Sequence, residues 1–197
     1  MAHSLAISWQ GRLTRRVSQE YIDAYTTAGE PLMFKVGEKV VYPNHGVGLV
    51  EQVSVGAMNG RTENCYLLRI VSSSLKVMVP ESNIKSVGLR RTVRSGEIVE
   101  ILAYLERGKC SNHHDWKFRF KQNSEKMRTG SLLSVAEVLK SLVVLSKGKP
   151  LSFREKKMLD RAKYLLVSEL ATVRNVTEQT VEASIHQALA KSHLHLP

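Results

Sequence analysis

Two incompatible hydrophobic periods run through this chain, one after the other. Between Phe34 and Gly88 apolar residues alternate in short runs, whereas from Leu89 onward they recur at about 3.6-residue spacing. A pattern suited to one period cannot bury its apolar face with the other. The chain must therefore fold as a strand-built part followed by a helix-built part, not as interleaved βα units.

The first part reads as short strands and tight turns. Lys39-Val40-Val41-Tyr42 runs into a breaker-rich turn, Pro43-Asn44-His45-Gly46-Val47-Gly48. From Leu49 to Val55 strict alternation places Leu49, Glu51, Val53 and Val55 on one face, with Val50, Gln52 and Ser54 on the other. Asn59-Gly60 is a strong hairpin signal, because both central residues of a type I′ turn need φ > 0. Cys65 to Val71 supplies the return strand, and Leu75 to Val79 alternates until Pro80 stops it. These signals predict a small, strongly bent antiparallel sheet or partial barrel. About 55 residues make a marginal core, so docking on a neighbour is expected.

In the second part Ile98, Ile101, Leu102 and Leu105 define a helix, with Arg90, Arg91 and Arg94 clustered at its start and Gly108 at its end. Asp115 is a suitable N-cap for the next helix and Gly130 a suitable stop. Ser134 and Glu137 have capping-box spacing within a helix carrying Leu132, Leu133, Val135, Val138, Leu139, Leu142 and Val143. Ser152 and Glu155 repeat that spacing at the head of a long helix, and Thr177 caps a last one. The fold class is thus α+β, a β module over 33–88 followed by a basic all-α bundle of about five helices over 89–197. Residues 1–32 lack sustained periodicity and read as a disordered or mis-started extension, with Met33 an alternative start.

Charge narrows the partners. The chain carries a net +11, and nine of those charges fall in 89–197. Such asymmetry points to a polyanion, most often nucleic acid, met by the helical half. No apolar run approaches the roughly 20 residues of a membrane span. With two cysteines, Cys65 and Cys110, a disulfide framework is excluded and a cytoplasmic location is expected. No glycine-rich phosphate loop, paired catalytic carboxylates or Cys/His/Asp arrangement is readable. Cys110 and His113 form a single C-x-x-H pair without a second pair. No enzyme, metal or cofactor is therefore expected.

Asp115-Trp116-Lys117-Phe118-Arg119-Phe120-Lys121 combines aromatic and cationic residues most densely. On a helix Trp116, Arg119 and Phe120 share a face, with Lys117 and Lys121 on the adjacent flank. Two readings stand on the residues alone: Trp116 as core anchor, or Trp116 pressed against bases while its cations meet phosphates. Cations also crowd the start of the long helix, at Arg154, Lys156, Lys157 and Arg161, where the helix dipole favours anions.

The segment from Phe34 to Gly48 resembles the opening of CarD-type bacterial transcription regulators, the CarD/CdnL group, whose N-terminal module is shared with transcription-repair coupling factors. Val79-Pro80-Glu81, Val87-Gly88-Leu89-Arg90, Trp116 to Lys121, and Leu151 to Ala171 extend the resemblance over about 33–192. It implies a Tudor-like β domain that binds the RNA polymerase β subunit, followed by a helical domain on promoter DNA. It further implies a non-catalytic, monomeric regulator that stabilises the open promoter complex, acting in the cytoplasm on the nucleoid. Carried over, Trp116 enters the minor groove at the bubble's upstream edge. Lys117, Arg119, Lys121, Arg154, Lys156, Lys157 and Arg161 become phosphate contacts, and Phe118 or Phe120 the core anchor. On the polymerase side the chain departs from the pattern, with Gly56 and Met78 where cations are expected. The expected contact shifts to Arg69, Lys76, Met78, Val79 and Pro80. Competing readings are a nonspecific architectural DNA-binding protein and an RNA-binding, translation-associated factor.

Overall fold

Turn chemistry and one bulge shape the first part of the chain. In the computed structural model, which describes residues 33–58, 61–110 and 115–196, five strands form one antiparallel sheet. They are β1 (Lys39–Tyr42), β2 (Gly46–Met58), β3 (Arg61–Ile70), β4 (Lys76–Pro80) and β5 (Arg90–Arg91), in the order β4-β3-β2-β1-β5. The extension 1–32 and the turn pair Asn59-Gly60 lie outside the described residues.

Strict alternation fails within β2. The pairing with β3 shifts register between Val50 and Gln52, so Glu51 is an extra, bulged residue. Val50 and Val53, expected on opposite faces, are consequently both buried, while Val55 is exposed. A one-residue slip flips every side chain beyond it, and here it turns Val53 onto the core of Phe34, Val40, Tyr66, Leu68 and Val79.

The helical period also begins later than Leu89. Arg90 and Arg91 pair with Val41 and Val40 as β5, so these two arginines belong to a strand and not to a helix start. A short helix, α1 (Ile84–Val87), precedes them and ends on Gly88 at φ 73°. Five helices follow: α2 (Ser95–Arg107), α3 (Trp116–Arg128), α4 (Leu132–Gly148), α5 (Phe153–Arg174) and α6 (Glu178–Ala190). Their caps are largely those the sequence announces. Asp115 accepts from Lys117 N, Thr177 accepts from Thr180 N, and Ser152 with Glu155 closes a capping box. The exception is α4, where Ser131 and not Ser134 is the N-cap, accepting from Ser134 N. Leu139, Leu142, Leu166, Leu170, Ile185 and Leu189 form the centre of the bundle core.

The two parts are clasped together. The β1–β2 turn presses Pro43, Asn44 and Gly46 against Met127, Gly130, Leu132, Val135 and Leu165, leaving a gap of only about 10 Å³. Gly46 sits at φ 93°, where a side chain is strained, and a Cβ there would lie 3.2 Å from the Tyr164 hydroxyl, which would have to give way. Alongside, Arg90 donates from Nη1 and Nη2 to the two carboxylate oxygens of Glu169 at 2.7 and 2.8 Å, and from Nε to the Gly130 carbonyl at 2.6 Å. Val93 N also donates to Glu169. Glu169 is 2% exposed, so these donors replace the water it lost.

Candidate nucleic-acid interface

Asp115 fixes the start of α3 and thereby places Trp116 in its first turn. There Trp116 is 47% exposed. Phe118 is exposed as well and Phe120 is half-buried, so neither is a core anchor. The buried face of α3 is instead polar and sulfurous, formed by Arg119, Asn123 and Met127.

Arg119 is the clearest correction to the expected phosphate contacts. It is 3% exposed, and its Nη2 donates to Glu155 Oε1 at 3.0 Å. Glu155 also accepts from the Ser152 backbone N–H and hydroxyl at 2.9 and 2.7 Å. Burial alone would raise the Glu155 carboxyl, but the Ser152 hydrogen bonds and the Arg119 guanidinium carry it below the ordinary carboxylate range. The side chain read as a contact to DNA is thus an internal staple between α3 and the head of α5.

That staple sets two cationic edges beside each other. Lys117 and Lys121 lie exposed on α3, and Arg154, Lys156, Lys157 and Arg161 lie exposed on α5. Among the described residues none of these six forms an ion pair, whereas Lys163, on the same helix, pairs with Glu182 at 3.2 Å. Lys157 lies over the ring of Phe153 at 4.6 Å and Arg161 over Tyr164 at 5.3 Å, contacts that orient a cation without neutralising it. Between the edges runs an open groove of about 410 Å³. Phe120, Met127 and Met158 floor it, Arg128, Arg154, Lys157 and Arg161 rim it, and Asn44 reaches it from the β module. Sequence reasoning missed Asn44, Arg128 and Met158 as members of this surface. Arg128 lies seven residues beyond Lys121 and so on the same flank, a signal that was available. Asn44 was beyond reach because it arrives by tertiary docking.

The residues expected to meet polymerase divide by burial. On the edge strand β4, Lys76 and Met78 point outward and are exposed, whereas Val79 and Pro80 are buried. The side chains of Val79 and Pro80 therefore belong to the module's own packing. Arg69 Nε and Lys76 Nζ both reach the bulged Glu51, at 2.5 and 2.9 Å. Hydrogen bonds from Lys76 and Arg69 hold the Glu51 carboxyl below its ordinary range. Among the described residues no group of three metal-binding side chains converges, and no helix is long and apolar enough to cross a membrane.

A small bent sheet clasped to a basic helical bundle, with an exposed tryptophan and cations that form no ion pair among the described residues, makes this a two-module protein with a basic helical face. The CarD C-terminal domain model matches residues 100–186, and the CarD-like/TRCF RID domain model matches residues 34–93. YdeB of Bacillus subtilis (strain 168), a transcription-factor candidate by its name, is 33% identical over 151 residues, spanning 77% of this chain and 99% of its own. A solved structure titled "CdnLNt from Myxoccoccus xanthus" shares 35% identity over 33% of this chain and 92% of its own, with a TM-score of 0.26. The chain belongs to the CarD/CdnL family of transcription regulators.

Proposed function

We propose that the protein binds the RNA polymerase β subunit through its sheet and promoter DNA through α3 and α5, stabilising the open complex without catalysis. The observation that carries this reading is the exposed ring of Trp116 on a helix that, with α5, carries six exposed cations without an ion pair among the described residues. Phosphate contacts from Lys117, Lys121, Arg154, Lys156, Lys157 and Arg161 position the protein without reading sequence. A ring pressed against a distorted base step makes bubble collapse less favourable by about 1–3 kcal/mol. Each ~1.4 kcal/mol is a tenfold change in the closed–open equilibrium.

The polymerase side of the reading rests on β4. As an edge strand it offers unpaired backbone groups for strand addition, and Met78, 59% exposed, supplies an apolar contact beside Lys76. The test is the open-complex half-life on a promoter that melts poorly. Trp116→Ala is expected to retain capture by isolated β subunit while shortening the half-life by roughly five- to a hundredfold. An unchanged half-life would remove Trp116 from the bubble. Failure of the wild-type chain to capture β would favour an architectural DNA-binding protein.

A further inference from the structure

Phosphate contacts explain the cations on α3 and α5 but not what those cations surround. Four of them ring a hollow whose floor is apolar, built from Phe120, Met127 and Met158. A backbone phosphate has no use for an apolar floor. A single nucleotide has both halves of the complement, a flat base with apolar faces and an anion on either side. Phe120 offers an aromatic ring, and the methionine thioethers adapt to a flat π-system.

We propose that this groove seats one unstacked base of the promoter strand at the melting edge, with its flanking phosphates on Arg154 and Arg161. The seat rests on the DNA-facing reading of α3 and α5. Spacing supports it. Phe120 follows Trp116 by four residues on nearly the same side of α3, ~6 Å along the axis, almost twice the roughly 3.4 Å between stacked nucleotides of one strand. A base leaving the stack at Trp116 therefore meets the groove one extended step later. Asn44, in the left-handed region at φ 60° and exposed at the rim, brings an amide that can donate to and accept from a base edge. Because Asn44 comes from the β module, the seat is complete only when the two parts are docked.

The test uses the full chain and two DNA probes of equal phosphate number, a blunt duplex and a fork with a short unpaired arm. The fork carries 2-aminopurine at its first unpaired position. Fork affinity is expected to exceed duplex affinity by about tenfold or more, with a change in 2-aminopurine emission on binding. Met158→Ala and Phe120→Ala should each bring the fork-to-duplex ratio toward one, while Lys156→Ala, outside the groove, weakens both probes together. Thermal unfolding separates lost folding from a lost seat, and the wild-type fluorescence change needs no variant. Equal affinity for both probes with no emission change would overturn the seat and leave the groove to a protein segment. Absence of binding to either probe would sink the DNA-facing reading and the seat with it.

Discussion

Two populations of arginine and lysine share this molecule, and they differ in what faces them. Arg90 and Arg119 point inward, each onto a buried glutamate, Glu169 and Glu155. Lys117, Lys121, Arg154, Lys156, Lys157 and Arg161 point outward with no carboxylate among the described residues. The inward pairs hold elements in place, Arg90 across the seam and Arg119 between α3 and α5. The outward set forms no ion pair among the described residues, and only Lys157 and Arg161 lie over rings of their own helix. A total charge of +11 therefore overstates the recruiting surface and hides the clasp.

The comparison can be broken most directly at the seam. Glu169→Ala takes the carboxylate from the half-buried Arg90 and the acceptor from Val93 N, and unfolding free energy in urea is expected to fall by about 2–3 kcal/mol. A loss under about 1 kcal/mol would show that the seam does not depend on this pair. Next comes the staple. The folded Glu155 carboxyl lies below its reference of 4.5, so its contribution is present above that value and lost as pH falls through the folded pKa. Wild type should thus be more stable than Glu155→Gln at pH 7, with the gap closing on acidification below about 4.5. A gap independent of pH would assign the effect to packing.

The smallest stability effects belong to the outward set. Lys117→Ala and Lys156→Ala should each change stability by less than about 0.5 kcal/mol. Each should nonetheless reduce the salt dependence of duplex binding by roughly one unit of slope. Stability losses comparable to the seam variant would place these lysines in the structural population.

Much of this division was hidden from sequence for a specific reason. Period and caps are local, so the switch from strands to helices and the Asp115, Ser152 and Thr177 caps could be read in order. The bulge at Glu51 was not legible, because an extra residue looks the same as a continued strand until its partner's register is known. Arg119 and Phe118 were assigned to the wrong sides of α3 for a related reason. Helical spacing said that Trp116, Arg119 and Phe120 share a sector, but not that a carboxylate on α5 would draw the arginine inward. With Arg119, Asn123 and Met127 taking the buried side, Phe118 was left in solvent. Lys76 and Met78 against Val79 follow from strand parity, whereas Pro80, of the same parity as Met78, is buried at the strand's end.

Arg90 occupies two roles at once, as a strand residue paired with Val41 and as the seam's guanidinium. The border between the two family models lies within ten residues of it, one ending at 93 and the other beginning at 100. That border in sequence is not a border in cooperativity. The outermost strand cannot separate from β1 without releasing Glu169, and α5 cannot drift without pulling on the sheet. Amide hydrogens of Val40 and of mid-α5 should therefore exchange through the same opening event, as one foldon spanning two recognisable modules.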